Sequence, residues 1–359
     1  MSVNYRTVRG AELTSADVAA WRAIQSARAE FASPYFCAEF TLAVAAERRD
    51  VFVVILTEGG RAVGFFPFQR GAMGQGRPVG GPLSDFHGVI AEPGAAWEPE
   101  SLLRAAGLSS WEFDHLILSQ DRLSPFRTGE APSPIMDLTG GYEAYMAGRR
   151  AEGTKQILKA EGLARKLERE VGAMRVVLDE QSPGVLAKVM EWKSEQCRAS
   201  NLPDVFGSAW TRALMARLVA TRGDEFSGML SALYVGDELA AAHMGMRSRT
   251  VWHYWFPGYD EKFAKFSTGL LLLLRMAAAA PGLGITRIDL GKGESQYKQR
   301  LMNGASTVWE GRVERASFWT GVQRARRRAE AWSERSAIGR PLLLPLKAWR
   351  KIERERKFQ

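Results

Sequence analysis

The chain of 359 residues is poor in cysteine, with two residues, and in histidine, with four. Cys37 and Cys197 are too few and too far apart for a disulfide framework or a zinc site. Long apolar runs are also missing, since residues 269–285 are interrupted by Arg275, Pro281 and two further glycines. A membrane-spanning helix needs about 20 apolar residues, so none is expected.

Signs of an exported or disordered protein are missing as well. The first residues, MSVNYRTVRGAEL, lack a basic stretch followed by an apolar core, so no secretory signal is expected. Few thiols suit a reducing compartment, and the two observations together predict a cytoplasmic protein. Hydrophobic residues at 46% and charged residues at 25% are ordinary for a globular chain, whose length predicts about two domains.

The net charge of +9 is concentrated at one end of the chain. Residues 321–359 hold 12 of the 49 basic and 4 of the 40 acidic residues, which leaves 37 and 36 in residues 1–320. The nearly neutral body gives no reason to expect a nucleic-acid groove. In the tail, Leu346, Trp349 and Ile352 recur at near-helical spacing, which suits a solvated helix or peripheral contact with the inner face of an anionic membrane.

Two segments share one pattern and indicate a duplication. Residues 51–69 read as two apolar strands around Gly59-Gly60, and residues 229–247 repeat this scheme around Gly236-Asp237, 177 residues further on. A proline-containing linker at 124–134 places a boundary near residue 140. We therefore predict three parts, which are an N-terminal domain (1–140), a C-terminal domain (141–320) and a basic helical tail (321–359).

The second half has a clear predicted order of elements. It begins with a long basic amphipathic helix, and it continues with a strand, two helices and three antiparallel strands. A helix, a strand, a short helix and two last strands follow. The predicted ranges are 142–171, 174–178, 183–200, 209–221, 227–235, 238–247, 250–256, 269–280, 285–290, 295–302, 307–311 and 313–319.

This order is that of the Gcn5-related N-acetyltransferase (GNAT) fold. In local detail the chain resembles the CelD/BcsL family of acetyltransferase-like proteins, also called BioF2-like, which is related to the tandem-domain Fem peptidyltransferases. The stretches that carry the resemblance are GRRAEGTKQILKAEGLARKLERE, AAAHMGMRSRTVWHYWFPGYD, KFAKFSTGLLLLLRMA, RIDLGKGESQYKQRLMNG and, in the first half, SPYFCAEF with GGPLSDFHGVI. The resemblance implies an α/β fold with a mixed sheet and tandem GNAT-like domains, of which the first is degenerate and the second more complete.

The resemblance also implies acyl-CoA as a co-substrate and no permanently bound cofactor. In this fold the pyrophosphate lies against a helix N-terminus, where backbone N–H groups and the helix dipole favour an anion. The residues at that place are Lys262, Lys265, Phe266, Ser267, Thr268 and Gly269. The glycine-rich consensus of typical members is reduced to Gly269, and the alternative is a simple helix cap.

His243 lies in the middle of a predicted strand, where it serves as a general base or substrate contact, or as a hydrogen-bonded core residue. A turn at Ser248-Arg249 pairs His243 with Tyr254, a candidate substrate contact, and pairs Met244 with His253. The two histidines then face opposite ways. No cluster of residues with zinc spacing is present, and no metal site is predicted.

The segment 289–298 gathers polar residues behind a strand and is the strongest candidate for catalysis. The resemblance gives Tyr297 the role of the acid that protonates the departing thiolate. It implies that Lys298 stabilises a developing oxyanion or holds a phosphate or carboxylate. Asp289 or Glu294 orients the amine or acts as the base, with Glu294 a substrate contact. A helix cap with solvated charges is the alternative.

Two other features suit either binding or structure. Asp85 and His87 resemble the family's Asp-aromatic-x-Gly motif and are candidate substrate contacts, although a structural turn is an equal alternative. The basic helix at 149–170 suits an anionic glycan, lipid or RNA, or a solvated face.

The leading hypothesis is an N-acyltransferase that moves an acyl group, in the first place acetyl, from acyl-CoA to an amine. The family resemblance suggests an acceptor on a sugar or an envelope or exopolysaccharide precursor. A second hypothesis is Fem-like transfer from an aminoacyl-tRNA. A third is a non-catalytic GNAT-fold subunit for binding or assembly in polysaccharide synthesis.

Overall fold

The computed structural model describes residues 3–293, 295–316 and 321, which form two compact units. Within these residues, unit 1 consists of residues 3–24, 44–129 and 309–316, and unit 2 of residues 25–43 and 130–308. The two units interleave along the sequence, and the domain boundary near residue 140 stays a prediction. The predicted tail at 321–359 lies outside the described residues except for residue 321.

The elements are named here in chain order. Those of the first part are β1 (Asn4–Arg9), α1 (Ser15–Ser26), α2 (Ala38–Glu47), β2 (Val51–Glu58), β3 (Arg61–Arg70), β4 (Gln75–Arg77), β5 (Ile90–Ala91), α3 (Pro99–Ala105), β6 (Ser110–Ile117) and β7 (Arg127–Asp137). Those of the second part are α4 (Tyr142–Ala151), α5 (Lys155–Glu170), β8 (Met174–Val177), α6 (Pro183–Ala199), α7 (Ala209–Ala220), β9 (Phe226–Val235), β10 (Glu238–Ser248), β11 (Val251–Tyr259), α8 (Thr268–Ala279), β12 (Arg287–Asp289), α9 (Gln296–Leu301) and β13 (Gly304–Glu314).

Unit 1 contains a sheet in the order β1-β2-β3-β4-β6, with β5 paired to β3. The first three steps are antiparallel, and β4 pairs with β6 in parallel. The predicted hairpin of β2 and β3 is confirmed. Its turn holds Gly59 and Gly60 at φ values of 58° and 84°, a conformation that glycine adopts without steric cost.

Unit 2 contains a sheet in the order β8-β9-β10-β11-β12-β7. Three antiparallel steps lead from β8 to β11, β11 pairs with β12 in parallel, and β12 pairs with β7 in antiparallel orientation. Both units therefore share three antiparallel steps followed by one parallel step. The predicted duplication is confirmed at the level of strand topology.

The core of unit 2 lies between its sheet and helices. Nearly every residue of β9 is buried, as expected for a central strand. The leucines at 271–274 of α8 are buried in the same apolar cluster as Trp252 of β11 and Ile288 of β12. Pro183 begins α6, and the Ser182 hydroxyl accepts a hydrogen bond from the Val185 N–H at 3.4 Å, which confirms the predicted helix start.

Three predictions about elements are wrong. The long helix at 142–171 is two helices, because Gly153 between them adopts a φ of 68°. The predicted linker at 124–134 is largely strand β7, whose prolines act as acceptors: the carbonyls of Pro132 and Pro134 accept the N–H groups of Gly293 and Leu290. The two strands predicted at 307–311 and 313–319 are one strand, β13, in the part of the chain that the structure describes; residues 317–319 lie outside it.

No helix within residues 3–293 and 295–316 combines the length and the apolar character that a bilayer span requires.

Gly228 of β9 tests how closely α7 packs on the sheet. A Cβ atom at this position would lie 2.0 Å from the carbonyl oxygen of Leu218 in α7. We expect Gly228→Ala to lower the free energy of unfolding by about 1–3 kcal/mol, because the helix must move away. On the exposed face of helix α5, Gly162 has nothing within 4 Å of its Cβ position, so Gly162→Ala should raise stability by about 0.5–1 kcal/mol. Urea unfolding followed by circular dichroism checks both, and equal midpoints for the two variants would contradict the packing.

Candidate active site

The parallel strands β11 and β12 separate at their carboxyl ends. Their pairing runs from Val251 with Arg287 to His253 with Asp289, where β12 ends. Strand β11 continues to Tyr259, so in the described part of the chain its last six residues have no partner on β12. We name the space bounded by residues 254–259 and 290–293 the β11–β12 opening. It presents main-chain N–H and C=O groups of β11 that the sheet does not use on this side.

A β-bulge lies at the start of this opening. Strand β10 pairs Met244 with Phe256 and Met246 with His253, so that two residues of β11, Tyr254 and Trp255, face Gly245 alone. The predicted pairing of His243 with Tyr254 is wrong, and so is that of Met244 with His253. The hairpin turn lies one residue later than predicted, and the bulge adds a residue to β11, so His243 pairs with Pro257 instead.

Gly245 is required by the crowding at the bulge. A Cβ atom there would lie 2.3 Å from the His253 carbonyl oxygen and 2.5 Å from Cε1 of His243. The motif AAAHMGM therefore contains its glycine for a steric reason, which the strand pattern alone did not reveal.

The His243 side chain completes the hydrogen bonding of the bulge. It is fully buried, its Nε2 accepts the Trp255 N–H at 3.1 Å, and its ring stacks on Tyr254 at 4.4 Å between centroids. Burial, with a smaller contribution from His253, lowers the pKa of His243 to about 3, so the imidazole is neutral. Since Nε2 is the acceptor, the proton resides on Nδ1, which has no hydrogen-bond partner among the described residues.

This arrangement suits a hydrogen-bond donor better than a base. The lone pair of Nε2 is occupied, and a pKa near 3 makes the ring a weak acceptor for an ammonium proton. The general-base role of His243 stays a prediction that the geometry does not favour.

The two histidines of this sheet contact different side chains. His243 lies against Trp252 and Tyr254, whereas the His253 ring lies 5.0 Å from the ring of Tyr35 and 6.3 Å from that of Trp255. Tyr35 comes from the motif SPYFCAEF, which sequence analysis assigned to the first half. The structure places this motif in unit 2, against β11.

Asp289 is fully buried and lies beside His253 rather than His243. It pairs in register with His253, and its Oδ1 lies 3.2 Å from Nε of Arg287. Ile288 belongs to the apolar core with Trp252, and successive residues of a strand face opposite sides. The structure therefore separates Asp289 from His243, two residues that the sequence grouped as catalytic, and brings Asp289 to His253, which the sequence analysis had not selected.

Tyr297 and Lys298 lie on α9, which follows the turn after β12. Tyr297 is 42% exposed, and burial, with a smaller contribution from Tyr297, raises the pKa of Tyr254. The Lys298 ammonium donates hydrogen bonds to the carbonyls of Gly291 at 2.9 Å and Lys292 at 2.8 Å. Lys298 thus holds the turn that borders the opening, while its oxyanion role stays a prediction. Glu294 lies outside the described residues.

The predicted cofactor segment is a 3-10 helix, Glu261–Phe266, in place of a glycine-rich loop. Phe266 is buried in the core. The two lysines are exposed and form ion pairs, Lys262 with Glu238 at 2.7 Å and Lys265 with Glu170 at 3.5 Å. The two glutamates therefore already neutralise part of the positive charge that was expected to bind a pyrophosphate.

Helix α8 begins directly after this segment. Ser267 adopts a left-handed φ of 54°, a strained conformation for a residue other than glycine. The Thr268 hydroxyl is buried and donates to the carbonyl of Ala240 at 3.2 Å, which ties the helix start to β10. The space around Gly269 is open except for the Tyr259 ring, 3.6 Å from the Cβ position. The N–H groups of Leu270 and Leu271 donate to the Ser267 carbonyl at 2.9 and 3.1 Å, so the N–H groups of Thr268 and Gly269 precede the first hydrogen bonds of the helix.

Asp85 and His87 belong to unit 1. There they lie with Asp114 and His115 of β6, and one ligand atom each of His87, Asp114 and His115 lies within 4.8 Å of the others. Neither Asp114 nor His115 was a predicted site residue, and no metal site was predicted, because these residues are 27 and 28 positions away from His87 along the chain. The consecutive residues Asp114 and His115 in a strand were the signal in the sequence that could have indicated these ligands.

Comparison with known proteins gives a family match for part of the chain and a fold for most of it. Residues 155–299 match the family described as Acetyltransferase (GNAT) domain. FemX is similar in structure, with a TM-score of 0.57, 8% identity and coverage of 86% of this chain and 96% of that chain. The C-terminal domain (DUF2156) of a protein described as a lysylphosphatidylglycerol synthetase from Agrobacterium fabrum has a TM-score of 0.52, 12% identity and coverage of 84% and 92%. No curated protein matches the chain.

The two structural likenesses are too distant in sequence to show more than the fold. That fold is the mixed α/β, GNAT-like fold that the sequence predicted. The chain therefore contains a GNAT acetyltransferase domain at residues 155–299, and it is an acyltransferase.

Proposed function

We propose that unit 2 transfers an acyl group from acyl-CoA to an amine at the β11–β12 opening. The observation that supports this is the end of parallel pairing at His253 and Asp289, directly beside the bulge at Tyr254 and Trp255. A main-chain N–H that the sheet does not use can polarise a thioester carbonyl there without reorganisation. The amine nitrogen then forms a bond to the carbonyl carbon, and the carbon–sulfur bond breaks.

Two side chains have defined roles in this proposal. Tyr297, which is exposed, transfers its hydroxyl proton to the departing thiolate, and the resulting tyrosinate takes up the proton that the nitrogen of the neutral amine loses as the amide forms. His243 positions the bulge through Nε2 and leaves Nδ1–H as a donor. His243 is thus a positioning residue rather than a base.

The donor end of the site is proposed at the start of α8. A pyrophosphate there would meet the first N–H groups of the helix, with Lys262 and Lys265 exchanging their glutamate partners for phosphate. For the acceptor, we propose an amine on a sugar or an envelope precursor, as the resemblance to the CelD/BcsL family suggests.

Calorimetric titration with acetyl-CoA and with desulfo-CoA tests the donor. We expect micromolar binding that Lys265→Ala weakens several-fold, because one phosphate contact is lost. Lys188→Ala is the matched control, since Lys188 is also an exposed lysine paired with a glutamate, Glu191, but lies on α6. Binding of neither nucleotide, or equal losses in the two variants, would contradict an acyl-CoA site at this place.

A second candidate donor is an aminoacyl-tRNA, as the resemblance to Fem peptidyltransferases implies. It is favoured by one observation, the 3-10 helix Glu261–Phe266 that replaces the glycine-rich loop. Transfer RNA should then bind with an affinity that falls steeply as salt is raised. Failure to bind at low salt excludes this candidate.

Tyr297→Phe tests the acid. The variant removes one exposed hydroxyl, so the midpoint of thermal unfolding should stay unchanged, while kcat for an amine acceptor falls about 100-fold or more. Steady-state kinetics with a thiol-detecting assay measure the effect. A variant with the kcat of the parent protein would remove Tyr297 from the chemistry.

His243→Gln tests whether the imidazole acts as a cap or as a base. The unfolded chain takes up a proton at His243 below pH 6.5, whereas the folded protein does so only near pH 3. The stability of the parent protein is therefore fully present above pH 6.5 and declines as pH falls toward 3, by about 2 kcal/mol at pH 5 from this group. Glutamine keeps an acceptor for the Trp255 N–H and has no such proton.

We therefore expect His243→Gln to show a smaller loss of stability between pH 7 and pH 5 in urea titrations, and to keep most of kcat. His243→Leu leaves the Trp255 N–H unsatisfied and should cost about 1–3 kcal/mol at neutral pH. A large loss of kcat in the glutamine variant, with unchanged stability, would restore His243 as a base.

A further inference from the structure

A second cluster of polar side chains lies in unit 1, outside the proposed acyl-transfer site. The loop before β5 runs beside β6, because the His87 N–H bonds the His115 carbonyl at 3.1 Å and the Ile117 N–H bonds the His87 carbonyl at 3.3 Å. The Gln120 side chain bonds both main-chain groups of Val89, at 2.8 and 3.1 Å. These bonds fix the loop and bring two of the four histidines of the chain together.

The side chains of His87, Asp114 and His115 converge on one point. Oδ1 of Asp114 lies 3.0 Å from Nε2 of His87 and 3.1 Å from Nδ1 of His115. The two rings are 5.7 Å apart and inclined by 68°, so they approach the carboxylate from different directions. Two imidazole nitrogens and one carboxylate oxygen are a ligand set of Zn²⁺ and similar divalent ions.

Each ring also has a partner on its far side. Nδ1 of His87 lies 3.3 Å from the Ser84 hydroxyl, and Nε2 of His115 lies 3.5 Å from Oδ1 of Asp85. In metal sites a ligating histidine contacts a carboxylate or another polar group through its second nitrogen, which fixes the tautomer and the ring orientation. This outer pair is an observation independent of the convergence itself.

Burial and charge suit a divalent cation as well. Both histidines are buried, whereas the Asp114 side chain is 61% exposed, so the cluster is rigid inside and open toward solvent. Asp85 and Asp114 supply two negative charges beside two imidazoles. Three protein ligands leave a position for water or another small ligand on the open side.

We propose that His87, Asp114 and His115 bind a divalent transition-metal ion, with Ser84 and Asp85 orienting the two histidines. Nothing in this proposal depends on the function proposed for unit 2.

The metal competes with a hydrogen bond that the structure contains. Nε2 of His87 accepts the main-chain N–H of His115 at 3.0 Å and that of Asp114 at 3.3 Å. Since a nitrogen offers a single lone pair to these groups or to a metal, binding withdraws it from the strand. The amide of His115 should therefore exchange faster with solvent when the metal is bound, which gives a readout besides affinity.

The experiment uses the full chain without a polyhistidine tag, treated with a chelator and titrated with ZnCl₂ in a calorimeter. We expect one site of micromolar or tighter affinity. Asp114→Asn and His115→Gln should weaken it at least tenfold, and Asp85→Asn by about 10–100-fold, as for outer partners in other sites. Titration with Co²⁺ should give the intense visible bands of a four-coordinate ion.

Two controls separate this site from general surface binding. Asp121→Asn changes an exposed aspartate of the same unit, and His243→Gln changes a histidine of the other; both should bind as the parent protein does. Asp114 is exposed, so its variant should fold, which circular dichroism verifies. Absence of binding, retention of full affinity in Asp114→Asn and His115→Gln, or an equal loss in Asp121→Asn would overturn the proposal.

Discussion

The hydrogen bond from the Trp255 N–H to Nε2 of His243 is the contact on which the candidate active site depends. A bulge leaves one N–H without a ladder partner, and a buried N–H without an acceptor costs about 1–3 kcal/mol. A buried imidazole is the acceptor here, and the fully buried position lowers its pKa to about 3 and keeps it neutral. The same side chain thus stabilises the irregular strand and loses the basicity that its residue type suggested.

The bulge determines which residues can meet at the β11–β12 opening. It lies directly after the last paired residue of β11, His253, so the change in strand direction and the loss of the partner strand occur together. Tyr254, stacked on His243, is the first residue of β11 beyond its pairing with β12, and Tyr297 contributes to the raised pKa of Tyr254. Asp289 pairs with His253 and faces the other side of the sheet. The proposed chemistry therefore involves Tyr254, Tyr297 and the main chain of β11, whereas Asp289 lies apart from His243 and Tyr254.

The sequence predicted the order of elements in unit 2 well, because each element has a local signal such as the apolar alternation of β9 or the cap at Ser182. The predictions failed where contacts between residues distant in the sequence determine the structure. The bulge changed the partner of His243, and the strand partners of β7 turned a proline-containing linker into a strand. The motif SPYFCAEF was placed in the first half, although its Tyr35 packs on β11 in unit 2. The sequence therefore identified candidate residues by their amino-acid type. The side of the sheet that each one faces and the residues that it contacts depend on strand pairing, which hydrophobic periodicity does not encode.

The two units share one strand topology, and the chemistry that we propose differs between them. In unit 1 the parallel pairing of β4 with β6 ends at Gly76 and Trp111, as that of β11 with β12 ends in unit 2. In unit 1, however, the loop bearing His87 bridges Leu116 and occupies the edge of β6 beyond this point. By sheet order β6 corresponds to β12, and its main chain at His115 and Ile117 is hydrogen-bonded to this loop, which also places an imidazole beside Asp114 and His115. The loop thus pairs with β6 beyond the end of its pairing with β4, and it brings together the side chains that we propose as metal ligands.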